Sequence, residues 1–199
     1  MGYLEGEKIV MSELEEYGLD SPARAILLLA LSLDDRNHQK SMNKLHFQKT
    51  IYYFEKLKQS KEVFFSNFKY GGVSSELAEN METLEMSGLV VRNGTRYSLT
   101  KEGERLAKQL KETYDVDMLR KLEFSKLLLN DLPDKELLFF MYMTFSETQI
   151  NSIEYKNLVP NKEYYVKKLF SKERITATTA AQWLKMSTRE FLESIQACD

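Results

Sequence analysis

Cysteine is almost absent from this 199-residue chain: Cys198 is the only one, so no disulfide can close within it and no cysteine-based zinc cluster can be built from it. Histidine is nearly as scarce. His38 and His46 stand eight positions apart, with no carboxylate at ligand spacing, which argues against a metal site. Long apolar runs are missing too, since Ala25–Leu31 falls far short of the roughly 20 residues that a membrane helix needs. The opening MGYLEGEKIVMSELEEYG is acidic and has neither the basic start nor the apolar centre of a secretory signal, so a cytoplasmic location is expected. Gly71-Gly72 is not followed by the Gly-Lys-Ser/Thr of a phosphate loop, and no Ser-His-Asp or Cys-His set stands out. No catalytic residue and no cofactor are read from the chain, and an enzyme is not expected. Repeats and low-complexity tracts are likewise missing.

What the chain does have is apolar content, 43% hydrophobic and 12% aromatic, enough for one compact domain or two small ones rather than a disordered chain. Its net charge of -2 conceals a segregation. Between Arg36 and Lys69 eight basic residues face two acidic ones, a net of +6, and from Lys156 to Asp199 eight face five, a net of +3.

The stretch Phe68–Gly103 carries the clearest local signals. Gly71-Gly72 reads as a turn, and Ser74 or Ser75 as the cap of a helix over about 74–87 whose apolar face is Leu77, Met81 and Leu84, continuing to Met86. Gly88 suits the left-handed residue that ends it. Two short strands, around 89–92 and 96–99, flank Asn93-Gly94-Thr95, where Asn-Gly supplies the positive φ of a tight hairpin. Thr100 then caps another helix that presents Leu106 and Leu110 on one face.

Elsewhere, Ser21 as cap and Pro22 at the first position predict a buried helix ending near Asp34-Asp35. A helix over 42–58 is expected to turn its lysines outward, with 63–70 extended after it. Further helices are expected over 101–114, 117–130 and 135–145, the last (KELLFFMYMTF) so apolar that other elements or a partner must cover it. Residues 151–161 read as a connector broken at Pro160, and 163–170, 178–185 and 188–195 as three short helices. The predicted fold class is mainly α with a small β-hairpin wing: a winged helix-turn-helix followed by a C-terminal helical extension. The expected division is an acidic segment 1–20, a winged-helix domain 21–114, a helical extension 115–150 packed on it, and a helix-turn-helix-like unit 151–199.

The apolar opening helix, Leu45-His46-Phe47-Gln48-Lys49-Thr50-Ile51-Tyr52, Phe68-Lys69-Tyr70-Gly71-Gly72-Val73-Ser74-Ser75-Glu76-Leu77, Gly88-Leu89-Val90 and Tyr97-Ser98-Leu99-Thr100 together resemble the YwgA-like proteins. That group is related in style to the Panacea-type domains associated with phages and toxin–antitoxin systems, and the resemblance covers about 22–145. Where the family pattern has a tyrosine-glycine-proline turn, this chain has Gly72-Val73. The resemblance implies a winged-helix-like fold and a regulatory or antitoxin-type role, with no catalytic residues. The stretch 169–192, with its Ala180-Ala181 pair, Met186-Ser187 turn and Arg189-Glu190-Phe191-Leu192, is similar to a small prokaryotic antitoxin-associated helix-turn-helix family.

Charge complicates the nucleic-acid reading. A major-groove reader needs donors and cations, yet the helix over 74–87 offers Glu76, Glu79, Glu82 and Glu85 and no Lys or Arg, leaving Asn80 and Thr83 as its polar contacts. Candidate contacts to double-stranded DNA therefore fall elsewhere: Arg92, Asn93 and Arg96 at the wing, Lys44 and Lys49 in the basic segment, and Thr178, Thr179, Gln182, Lys185, Ser187, Thr188 and Arg189 around two helix N-termini of the tail. The tail residues fit equally well as a structural cap. The aromatics among the lysines, Tyr52, Tyr53, Phe54, Phe64, Phe65 and Phe68, read as core rather than as a stacking platform. Two functions stay open. One is a prokaryotic transcriptional or antitoxin-like regulator that binds DNA, with a homodimer as the form that would read two half-sites. The other is a protein-interaction module in which the four-glutamate helix, or the apolar helix over 137–145, docks a toxin or regulator.

Overall fold

The computed structural model describes residues 12–58, 63, 65–68, 71–150 and 152–196. The acidic residues 1–11 and Lys61, Phe64, Lys69, Tyr70, Asn151 and Cys198, all weighed in the sequence, lie outside them. The protein is mainly helical with a small three-stranded antiparallel sheet. Packing separates two compact units: described residues up to Ser66 together with Val73–Asp131, and Asn67–Gly72 together with those from Leu132 onward.

The first unit is organised around α1 (Pro22–Ser32), whose Ala25–Leu31 run is buried on every side. Pro22 opens it as expected, but Ser21 makes no side-chain capping bond. Burial compensates easily, since each fully buried leucine contributes about 1.5–3 kcal/mol where a cap contributes about 1. The chain then forms β1 (Met42–Asn43) and α2 (Lys44–Lys58), so the helix expected from Met42 begins two residues later. Asn43 is the reason: its Oδ1 accepts from the His46 backbone N–H at 2.8 Å, capping α2 from the end of a strand.

Strands β2 (Ser66–Phe68) and β3 (Gly71–Val73) pair with each other and lead to α3 (Ser75–Met86). Ser74 caps α3 by accepting from Leu77 N–H at 3.2 Å. Gly88, at φ 74°, ends it, with the Leu89 N–H bonding back to the Leu84 carbonyl at 3.0 Å. Strands β4 (Val90–Asn93) and β5 (Arg96–Leu99) follow as a hairpin in which Asn93 pairs with Arg96, leaving Gly94-Thr95 as a two-residue loop with Gly94 at φ 62°. Strand β5 also pairs with β1, Met42 opposite Tyr97, so the sheet order is β1-β5-β4.

Helix α4 (Lys101–Thr113) starts where the Thr100 hydroxyl accepts from Gly103 N–H at 3.1 Å and donates to the Gly88 carbonyl at 2.8 Å. A Cβ at Gly103 would lie 2.1 Å from the Leu89 carbonyl oxygen, so only glycine lets this turn pack on the α3–β4 junction. Helix α5 (Val116–Leu129), capped by Asp115, lies along α2 and completes the unit. The expected extension 115–150 is thus divided: α5 belongs to the first unit and everything after Asp131 to the second.

The second unit begins with α6 (Asp134–Thr144), whose residues from Glu136 to Tyr142 are all buried. Elements of the same unit pack against it. The expected connector is helical instead: α7 (Ile153–Leu158), capped by Ser152, runs into a 3₁₀ turn at Val159–Asn161 that accommodates Pro160 near its start. Then come α8 (Lys162–Ser171), α9 (Ala177–Leu184) and α10 (Thr188–Gln196). Aromatic rings fill the centre. Phe139 stacks on Tyr165 at 5.0 Å and meets Trp183 edge-on, while Phe170 meets Phe191 edge-on at 5.0 Å.

Candidate functional site

Helix α3 presents the most distinctive surface of the first unit. Leu77, Met81 and Leu84 anchor it in the core, and Gln48 clamps its start from α2. The buried Gln48 amide donates to the Ser74 carbonyl at 2.7 Å and accepts from the Ser74 N–H at 2.8 Å. Outward, Glu79, Glu82 and Glu85 are exposed and Glu76 is half-buried, with no Lys or Arg in the helix. Glu79, Glu82, Thr83 and Met86 stand at i, i+3, i+4 and i+7, one stripe about 10 Å long. Met86, at its end, is 89% exposed, so the apolar face expected to continue to it stops at Leu84. Two of its neutral polar side chains bond back to the helix itself: Asn80 Nδ2 donates to the Glu76 carbonyl at 2.8 Å and Thr83 Oγ1 to the Glu79 carbonyl at 3.0 Å.

The cations proposed for DNA in this unit are dispersed. Arg92 is exposed on β4, folded back so that its guanidinium lies 5.6 Å from the Tyr97 ring centroid and its Nε donates to the Gly94 carbonyl at 3.1 Å. Asn93 is exposed beside it. Arg96 is committed to the fold, donating from Nε to Ser41 Oγ at 2.8 Å and from its guanidinium to the Ser41 carbonyl. Lys44 is exposed at the first position of α2. Lys49 corrects the expectation that the lysines of α2 point outward. It is 2% exposed, and burial lowers its ammonium pKa to about 8, so it cannot meet a phosphate on the surface. Lys58 is turned in as well, paired with Glu55 at 3.2 Å. Of the basic residues of this segment, Lys49 and Lys58 are turned in, whereas Arg36, Lys40, Lys44 and Lys56 are exposed.

In the second unit, α9 and α10 form a tight pair. Lys185 sits between them at φ 60°, with the Met186 N–H bonding back to the Ala181 carbonyl at 3.0 Å, so this lysine occupies a position that glycine usually takes. Ala180 and Ala181 are buried, as is Phe191 on α10. Thr178, Gln182, Lys185, Ser187 and Arg189 are exposed, while Thr179 and Thr188 are half-buried. Ser187 and Glu190 form a reciprocal capping box: Glu190 N–H donates to Ser187 Oγ at 3.2 Å, and Ser187 N–H donates to Glu190 Oε2 at 2.7 Å. Hydrogen bonding from Ser187, its backbone N–H foremost and its side chain next, holds the Glu190 carboxyl below its ordinary pKa. Arg189 pairs with Glu193 at 2.8 Å across one turn. The charged residues of α10 are therefore one arginine and two glutamates.

Sequence reasoning missed a polar cluster buried in the first unit. Lys126 on α5 is fully buried and donates to the carbonyls of Ala30 and Lys40, at 2.6 and 2.5 Å. Asp35, 2% exposed, receives the Asn37 and Gln39 N–H groups on one oxygen and the Asn130 amide on the other. The cluster fastens the loop between α1 and β1. Aspartates after an apolar helix carry a faint turn signal, but no periodicity distinguishes a buried lysine from an exposed one. Among the described residues no group of His, Cys, Asp or Glu is placed to hold a metal ion. His46 Nδ1 instead lies 2.8 Å from Asn43 Oδ1. No described helix is long and apolar enough to cross a membrane. No protein-family model, curated protein or solved structure matches this chain.

Proposed function

We propose that this chain is a winged-helix regulatory module that acts by capturing a protein partner, in the manner of an antitoxin or adaptor, through the acidic face of α3. The order α1, β1, α2, α3, β4, β5, with β5 central in the sheet, supports a winged-helix reading in which α3 takes the reader position. The observation that carries the function is the charge of that helix: four glutamates, no cation and an exposed methionine at its end. Phosphates repel such a face. A basic protein surface with an apolar pocket complements it. The YwgA-like resemblance supports the same regulatory context.

Co-purification of the full chain with products of neighbouring genes is the test. A partner with a basic surface should be retained at low salt and lost when Glu79, Glu82 and Glu85 are changed together to Lys. Capture that survives this triple change would refute α3 as the docking face. The C-terminal unit supports a second reading, DNA contact, because the left-handed Lys185 makes the tight α9–α10 turn typical of helix-turn-helix pairs and leaves Lys185, Gln182 and Arg189 exposed. Binding of genomic duplexes at low salt, abolished by joint Lys185→Ala and Arg189→Ala changes, is its expected outcome. No low-salt affinity would sink it.

A further inference from the structure

We propose that Lys162 and Lys185 together form a two-ammonium grip on the phosphate backbone of duplex DNA, extending the contact surface of the second unit to the start of α8. The inference rests on the DNA reading of that unit and is independent of the acidic face of α3.

The fold of α8 and α9 brings the two lysines to one place. Residues 172–176 reverse the chain between the helices, which pack against each other, so the start of α8 lies beside the end of α9. Phe139 marks the junction. Its ring stacks on Tyr165 at 5.0 Å, three residues after Lys162, and meets Trp183 edge-on at 6.3 Å, two residues before Lys185. The charge of Lys185 is accordingly felt at Lys162, whose ammonium pKa is lowered first by burial and then by that neighbour.

The fold alone disfavours this arrangement. Lys162 is half-buried, so its ammonium is partly desolvated as well as repelled. Lys185 holds φ 60° and ψ 44°, a left-handed conformation that glycine adopts without strain. No acid offsets either cost: Glu163, next to Lys162, is turned to Lys167 at 2.8 Å, and among the described residues neither Lys162 nor Lys185 has a carboxylate partner. Two cations held together at a local cost, one of them where a glycine would sit more easily, are accounted for by an anion that binds them from outside.

The surroundings select the kind of anion. Lys185 is exposed, as are Gln182 three residues before it and Ser187 two after it, which places the pair on the surface that the DNA reading uses. Neither lysine lines the open cleft of this unit, walled by Phe140, Met143 and Trp183, so that cleft offers the pair no enclosure for a free nucleotide or a small anion. Lysine meets phosphate as a point charge, without the fork that reads a base edge, so the expected contact is to the backbone and the same on any sequence.

Full-length protein is titrated by fluorescence anisotropy with two duplexes of equal length and unrelated sequence, between about 50 and 200 mM salt. The logarithm of the binding constant should fall with the logarithm of salt by about 0.9 per phosphate contact. Lys162→Ala should flatten that slope by about one contact on both duplexes, so that the advantage of the wild type shrinks roughly 3.5-fold across the range. Lys162→Arg should restore the slope. Lys185→Gly should flatten it equally while raising the melting temperature by a few degrees, a combination that a purely structural lysine would not give. Duplex binding with an unchanged slope in Lys162→Ala, or a loss confined to one duplex, would overturn the grip and leave the DNA reading standing. Failure of the wild type to bind either duplex at about 50 mM salt would remove the DNA reading and the grip together.

Discussion

Replacing Lys126 by Met tests how the first unit holds its α1–β1 loop, and pH gives the result a sign. The ammonium is buried against the carbonyls of Ala30 and Lys40, and desolvation lowers its pKa to about 7, with Asp35 and Asp34 opposing and Arg96 and Lys111 adding to the shift. Its folded pKa lies below the unfolded value of roughly 10.4, so the unfolded chain holds this proton more tightly. Stability therefore rises with pH between about 7 and 10.5 and is lost as pH falls through that window, by up to about 1.4 kcal/mol per unit. Integrated from pH 9 to pH 7, the loss is about 2 kcal/mol. Methionine has no such titration, but it leaves two buried carbonyls without a donor, at about 1–3 kcal/mol each. Urea denaturation followed by circular dichroism at pH 7, 8 and 9 should thus find the wild type ahead by about 2–4 kcal/mol at pH 9, and that lead should shrink by about 2 kcal/mol at pH 7. Lys49 titrates in both proteins, so its contribution cancels from the comparison. A lead that stays constant across the range, or grows toward pH 7, would refute the reasoning; growth would mean that the carbonyls and Asp35 favour the charged form more than burial penalises it.

Gln48→Leu keeps the approximate size of the side chain but removes both bonds to the Ser74 backbone, so denaturation should show a loss of about 2–4 kcal/mol. In contrast, Glu173→Gly relieves an exposed non-glycine residue at φ 57°, and the melting temperature should rise by a few degrees, equivalent to about 0.5–1 kcal/mol. A lower melting temperature would show that the Glu173 side chain contributes more than its backbone strain costs.

Most of the helical framework was legible because it rests on local rules. Ser74, Gly88, Gly94 and Thr100 each act through backbone groups within a few residues, and each stands where its chemistry placed it. The stretch around Pro160 misled because proline breaks a helix interior but is tolerated in the first turn, and here it lies at the start of a 3₁₀ segment. Strand β1 was missed because two residues carry no period, and its existence depends on β5, more than fifty positions away. The candidate contacts divided along the same line. Exposure of Arg92, Thr178, Gln182 and Arg189 follows from local pattern, whereas the burial of Lys49 and the engagement of Arg96 with Ser41 depend on tertiary partners. Lys126, Asp35 and Asn130 were invisible for the same reason, being adjacent only in the folded unit.

The charge of α10 and of α3 bears on what each unit is proposed to bind. Helix α10 sets one arginine against two glutamates and ties that arginine to Glu193, so DNA contact by this unit would depend on Lys185, Gln182 and the helix N-termini more than on α10 itself. Helix α3 has no cation at all. A row of glutamates alone is what solvation of an outer face produces, and it would need no partner to explain it. Met86 is what the proposal adds to that account. A side chain exposed to 89% contributes almost no burial to the fold, yet it sits at the end of the acidic stripe within one helical turn of Glu82 and Glu85. On the proposed reading Met86 would serve as an apolar anchor beside a single-sign rim, an arrangement that suits a basic protein surface better than a phosphate backbone.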